Sequence, residues 1–180
     1  MGKRSNFKRV ARDCYDTPHS AVQPLLPYLR NNTRFYEPAA GEGALVRHLE
    51  GAGHICAGAS DIVPRGDNIM LMDFLHLHLS DVTRAEMVIT NPPWGRKLLH
   101  ALILHLRQLG LPAWLLIDAN WAFTAQAAPF LPYCACIVTI GRVRWMPGTD
   151  SDGKDDCAWF QFEPTPVNRT LFFGKRNPDT

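Results

Sequence analysis

Arg34-Phe-Tyr-Glu-Pro-Ala-Ala-Gly-Glu-Gly-Ala-Leu-Val-Arg-His-Leu49 changes its pattern twice. The run from Arg34 to Tyr36 predicts a short strand, small residues follow, and from about Gly43 the apolar spacing predicts a helix. Gly41 and Gly43 let the backbone approach a ligand closely, because no Cβ intervenes. A strand, a Gly-x-Gly turn and a helix open an α/β unit, so a nicotinamide-binding turn must be weighed. That fingerprint needs a third glycine three residues after the second. The position is Val46. Glu37 and Glu42 would moreover repel a pyrophosphate, whereas a cationic ligand gains from a carboxylate at this turn. The dehydrogenase reading loses.

The next decisive stretch is Met87-Val88-Ile89-Thr90-Asn91-Pro92-Pro93-Trp94. A β-branched run stops at an amide, two prolines and a large aromatic. Proline cannot continue a sheet ladder, so the strand ends at about Asn91. Open α/β sheets bind ligands at the carboxyl edge of their strands, and Asn91, the Pro92 carbonyl and Trp94 are held there. The Asn91 oxygen and a rigid carbonyl suit a planar NH2 group, and Trp94 offers a stacking face for the ring that carries it.

Around these stretches the chain alternates. Thr17 and Pro18 read as an N-cap and first helical position, followed by helical spacing at residues 22, 25, 26 and 29. His54 to Val63 predicts a second strand. Asp61 falls about 20 residues after the glycine turn, where a carboxylate accepts ribose hydroxyls. Asp73 and Phe74 follow, with a helix or turn cap as the alternative role for Asp73. His76 and His78 share a face if Phe74–Leu79 is a strand, but nothing nearby completes a metal set. A leucine-rich helix spans Lys97 to Leu109 with broad burial expected, and His100 and His105 in it are structural. Ala113–Asp118 and Tyr133–Ile140 predict strands, and Cys157–Glu163 returns from a polar-tipped hairpin.

In this order the pieces resemble the S-adenosylmethionine-dependent amino-methyltransferases, especially the DNA adenine-N6 enzymes. Asn91-Pro92-Pro93-Trp94 is similar to their motif IV, Glu37 with Gly41 and Gly43 to motif I, Asp73-Phe74 to motif III, and Tyr15, Thr17 and Pro18 to motif X. The resemblance covers about Asp13 to Glu163. It implies an α/β class I methyltransferase Rossmann-like fold: a mostly parallel seven-stranded sheet with an antiparallel last strand and helices on both faces. It implies S-adenosyl-L-methionine as cofactor, bound by Tyr15, Thr17, Pro18, Glu37, Ala39, Gly41, Gly43, Asp61, Ile62, Asp73, Phe74 and Asn91. It further implies methyl transfer to the N6 amine of adenine in DNA, with Asn91, Pro92, Pro93 and Trp94 holding a flipped base and no metal. Cytosine N4, an RNA adenine or a protein glutamine stay open as acceptors. So does a non-catalytic nucleic-acid-binding partner subunit.

Composition bounds the rest. The chain has 180 residues, 46% hydrophobic and 20% charged, as expected of one soluble domain. No apolar run approaches the roughly 20 residues of a membrane span, and no secretory signal is apparent, so the expected location is cytoplasmic. Five cysteines form no Cys-x-x-Cys pair, and Cys134 and Cys136 read as small core residues. The expected organisation is a basic arm over 1–12, one methyltransferase domain over 13–163 and a surface tail over 164–180. Net charge is only +2, so any nucleic-acid footprint is local. Candidate phosphate contacts are Arg142, Arg144 and the basic residues of the arm (Lys3, Arg4, Lys8, Arg9, Arg12). No separate target-recognition domain is expected within these 180 residues. Readout would fall to the 144–157 loop, the arm or a second subunit, and that loop is rich in aspartate.

Overall fold

The computed structural model describes residues 15–146 and 153–174. Its strands are β1 Arg34–Glu37, β2 Ile55–Asp61, β3 Met70–Leu71, β4 Met87–Thr90, β5 Ala113–Asp118, β6 Cys134–Arg142, β7 Asp156–Phe162 and β8 Leu171–Phe173. They form one sheet in the order β3-β2-β1-β4-β5-β7-β6-β8. Pairing is parallel from β3 through β5, and β7 enters between β5 and β6 antiparallel to both. The first seven strands give the mostly parallel sheet expected, with the antiparallel strand last.

β8 was not foreseen. Leu171–Phe173 adds to the sheet edge parallel to Cys136–Val138, within the segment expected to be a surface tail. The Thr170 hydroxyl donates to the Cys134 carbonyl at 2.7 Å, and the Phe173 ring packs on Tyr28 with centroids 4.9 Å apart. Proline-rich flanks concealed a strand of three residues.

Successive strand residues point to opposite faces, so the central strands feed two cores. Val88, Leu115, Ile117, Phe160 and Phe162 face helix α3, Arg96–Gln108. Ile89, Trp114, Leu116 and Trp159 face helices α1, His19–Val22, and α2, Ala44–Gly51. Cys134 and Cys136 are both buried, yet they belong to different cores. An irregularity pairs Cys134 with Phe162 and Cys136 with the adjacent Gln161, which reverses the alternation. Burial pushes these thiols up, to about 12 and about 11, so neither is a ready nucleophile.

Three local expectations change. Helix α1 starts at His19 with Pro18, not Thr17, in the cap position, and it lasts one turn because Pro24 and Pro27 follow. Trp159 holds it down by donating its indole N–H to the Ala21 carbonyl at 2.7 Å. Helix α3 buries one stripe, Leu99, Leu102, Ile103 and Leu106, and leaves Leu98 and Leu104 exposed. The Phe74–Leu79 segment is no strand. Two 3-10 turns, Phe74–His76 and Leu79–Asp81, flank buried Leu77, while His76 and His78 lie exposed. The two histidines of α3 have packing partners. His105 Nε2 donates to the Leu77 carbonyl at 2.8 Å, and His100 Nε2 accepts from Trp121 Nε1 at 3.1 Å. Among the described residues no helix is long and apolar enough to cross a membrane.

Candidate active site

The glycine turn is clamped before any side chain faces a ligand. Gly41 and Gly43 adopt φ of 57° and 82°, left-handed backbone that other residues enter at a cost. Asp61, at the end of β2, accepts the Gly41 N–H on Oδ2 and the Val63 N–H on Oδ1, each at 2.8 Å. Returning, the Arg65 N–H donates to the Gly41 carbonyl at 2.9 Å. Gly66 completes the contact, since a Cβ there would lie 2.6 Å from the Glu42 carbonyl oxygen.

Tyr15, Thr17, Glu37, Ala39, Gly41, Asp61, Ile62, Phe74 and Asn91 line one cleft above this turn, together with Pro93. Five other residues singled out from the sequence, Pro18, Gly43, Asp73, Pro92 and Trp94, are not on its wall. Gly43 starts α2, and the Asp73 carboxylate accepts from the Leu75 N–H at 3.0 Å, which is the capping alternative. Among the described residues no group of His, Cys, Asp or Glu is placed to hold a metal ion.

Glu37 is the cleft's most unusual group. It is 1% exposed and neither carboxyl oxygen has a hydrogen-bond partner. Burial raises its pKa from the ordinary carboxylate range to about 8. The Thr90 hydroxyl and the Ala39 and Asn91 N–H groups approach it and oppose that shift without closing a bond, and the Asp61 charge adds to it. A buried carboxyl in this state calls for a proton or a cation.

The Asn-Pro-Pro-Trp group is arranged differently from expectation. β4 does stop at Thr90, as the prolines require. Asn91 Nδ2 donates to Thr17 Oγ1 at 3.2 Å, so the hydroxyl expected to cap α1 instead orients the amide. Trp94 Nε1 donates to the Leu116 carbonyl at 3.0 Å and more loosely to Asn91 Oδ1 at 3.3 Å. An indole N–H can only donate, which identifies the amide oxygen on that side. Trp94 is thus partly buried and packs against both cores rather than standing in the cleft. Its neighbour is Trp145, edge-on with centroids 5.7 Å apart, and Tyr15 lies 6.1 Å beyond Trp145.

Residues 15–17 emerge as a brace. Tyr15 reaches Trp145, Asp16 pairs with Arg65 at 2.7 Å, and Thr17 holds Asn91. Trp145, Asp16 and Arg65 escaped the sequence reading. Only the juxtaposition of Asp16 with the Tyr-x-Thr-Pro pattern hinted at them. Arg142 and Arg144 are exposed at the end of β6. The basic arm and the hairpin tip at 147–152 lie outside the described residues.

No protein-family model and no curated protein matches the sequence. Solved structures do. A putative RNA methyltransferase from Pyrococcus horikoshii superposes with TM-score 0.61 at 15% identity, covering 83% of this chain and 85% of that one. The modification subunit of a putative type I restriction enzyme from Vibrio vulnificus YJ016 gives TM-score 0.55 at 14% identity, covering 92% and 48%. A chain of a type I restriction-modification complex gives 0.56 at 16%, covering 96% and 47%. The chain has the class I methyltransferase fold. At these identities the likeness concerns architecture, and the chain spans about half the length of the two type I proteins. Open α/β sheets bind ligands at the carboxyl ends of their strands, and the cleft here opens where β1, β2 and β4 end. Glu37, Asp61 and Asn91 stand at those ends.

Proposed function

We propose that the protein transfers a methyl group from S-adenosyl-L-methionine to the N6 amine of adenine in DNA. The observation that carries this reading is the pairing, in one cleft, of a buried carboxyl without partners and an oriented asparagine amide. Glu37 fits the cationic end of that cofactor, because its carboxylate becomes favourable only when a positive group joins it. Tyr15, Thr17, Ala39, Gly41, Ile62 and Phe74 form the remaining wall. Asp61 is engaged by backbone N–H groups through both oxygens, and the lone pairs left on them are what it offers to ribose hydroxyls. Bound there, the cofactor supplies an electrophilic methyl group for in-line transfer to an amine.

The chain's own contribution is positioning and electrostatics. Asn91 Oδ1, loosely held by Trp94, keeps a lone pair for a target N–H, and the Pro92 carbonyl beside it is fixed by two consecutive prolines. Thr17 and Trp94 prevent the amide from rotating. A target in a duplex must leave the stack to reach this edge. Tyr15 lines the cleft with Asn91 and touches Trp145, which meets Trp94 edge-on behind the wall, and the exposed Arg142 and Arg144 are candidate phosphate contacts.

RNA as the acceptor is the second reading. It is favoured by the match along nearly the whole length of a protein described as a putative RNA methyltransferase, where the type I subunits match over half. Transfer of labelled methyl from S-adenosylmethionine to unmethylated DNA, with RNA and a protein extract in parallel, separates the readings. N6-methyladenine in DNA is expected. Asn91→Ala is expected to lower transfer by roughly 100- to 1,000-fold, the scale of losing one preorganised polar group. Label in RNA alone would replace the substrate. A chain that binds the cofactor and labels nothing would favour a non-catalytic or partner-dependent subunit.

A further inference from the structure

We infer that Arg65 anchors the α-carboxylate at the amino-acid end of the cofactor, and that Asp16 holds its guanidinium over the cleft until that carboxylate takes its place. The inference rests on the cofactor reading above and assigns a residue that the sequence did not single out.

Charge comes first. The cleft wall carries the carboxyl groups of Asp16, Glu37 and Asp61 and, among the described residues, a single cationic side chain, Arg65. An amino-acid end is zwitterionic, so a wall able to hold it needs both signs. Glu37 supplies the partner for the ammonium. Asp61 already accepts two backbone N–H groups. The carboxylate has Arg65.

Geometry agrees. Arg65 Nη2 lies 2.7 Å from Asp16 Oδ1, and the guanidinium covers the glycine turn so closely that a Cβ on Gly41 would meet it at 2.8 Å. Its backbone cannot drift, because its N–H donates to the Gly41 carbonyl and Gly66 packs on the Glu42 carbonyl. The side chains of Arg65 and Asp16 are 37% and 36% exposed. An ion pair this open to solvent contributes little by itself and is readily exchanged. The guanidinium fork is also suited to a carboxylate, which it can hold through two parallel N–H bonds.

Calorimetric binding to the full chain tests this with two ligands: S-adenosylhomocysteine and its decarboxylated counterpart, which keeps the ammonium. The wild type is expected to favour the intact ligand. Arg65→Ala and Arg65→Gln are expected to weaken it at least tenfold while changing the decarboxylated ligand less than about twofold, so that ligand also reports a folded cleft. Asp16→Asn, which releases the guanidinium, is expected to tighten the intact ligand. Equal weakening of both ligands by the Arg65 variants would overturn the inference in favour of a purely structural latch, and so would no weakening of either. If the wild type binds neither ligand, the cofactor reading itself has failed.

Discussion

Glu37 and Asn91 stand at the ends of strands that pair side by side, yet the sheet treats them in opposite ways. The Asn91 amide is engaged on both sides within the protein, by Thr17 on its nitrogen and Trp94 on its oxygen. Glu37 is buried with both oxygens unpartnered. An unsatisfied buried carboxyl costs stability, and a fold keeps one where something else completes it. An amide braced on two sides is a rigid group already in position, with one lone pair to spare. The difference teaches that the two halves of the cleft do different work. The Glu37 side is completed by a ligand's charge, whereas the Asn91 side is preorganised before any ligand arrives.

The sharpest way to break this comparison is Glu37→Gln. The variant keeps the shape and removes the charge, so S-adenosylhomocysteine affinity at pH 8.5 is expected to fall by roughly 100-fold, the scale of a lost charge-assisted contact in a buried site. The pH dependence gives the signature. Burial raises the Glu37 pKa in the folded chain to about 8, against 4.5 ordinarily. The folded state therefore holds its proton more tightly than the unfolded state. The resulting stability is full below about pH 4.5 and is lost as pH rises through about 8. Cofactor binding runs the other way, because the cationic end needs the carboxylate: affinity rises towards pH 8 and binding releases a proton. Melting temperature and calorimetric affinity across pH 5–9 should both slope in the wild type and flatten in the variant. Equal affinities at pH 8.5 would remove Glu37 from the site.

A smaller effect sharpens the Asn91 side. Thr17→Val removes the hydroxyl that accepts from Asn91 Nδ2 and leaves that part-buried donor without its partner. Methyl transfer is expected to drop roughly tenfold through kcat, consistent with about 1–3 kcal/mol for an orphaned donor. Thr17→Ser should restore it. Thr17 also lines the cleft, so a direct cofactor contact would instead raise the cofactor KM at constant kcat. That split decides whether Thr17 positions the amide or touches the ligand.

The same contrast explains what was legible in the sequence. Strand ends were readable because proline and glycine act locally: Pro92 and Pro93 stop β4, and Gly41 and Gly43 make the turn in left-handed backbone. The strands β1, β2, β4, β5, β6 and β7 were readable from their apolar runs, and the resemblance supplied the mostly parallel sheet, but the order of the strands and the two-residue β3 were not legible. Nor were partners. Thr17 looked like a cap because its neighbour is a proline, but its hydroxyl is used by a residue 74 positions away. Asp16 and Arg65 meet across 49 positions, and no local pattern encodes such a pair. β8 and the pair of 3-10 turns were missed for the reverse reason. Three residues of strand carry too little period to detect, and two apolar-His alternations imitate a strand until Asp73 and Asp81 accept the backbone N–H groups of Leu75 and His78.

Trp94 gives the smallest effect and tests the stacking expectation most directly. Its indole N–H is shared between the Leu116 carbonyl at 3.0 Å and Asn91 Oδ1 at 3.3 Å, so its first partner is a strand and only its second is the amide. Trp94→Phe keeps an aromatic ring and deletes the donor. The expected cost is about 1 kcal/mol, or a melting temperature lower by about 2–4 °C for a chain of this size, with transfer reduced less than about threefold. Trp94→Leu removes the ring as well. If Trp94 serves mainly to hold Leu116 and Asn91, both variants share the small kcat loss and leave the KM for DNA in place. If the ring receives the target base, Trp94→Leu alone raises that KM by tenfold or more, since base–aromatic stacking is worth about 1–3 kcal/mol. The second result would mean that the partly buried ring must turn outward when nucleic acid binds, and the Asn91 side would then be less rigid than its hydrogen bonds indicate.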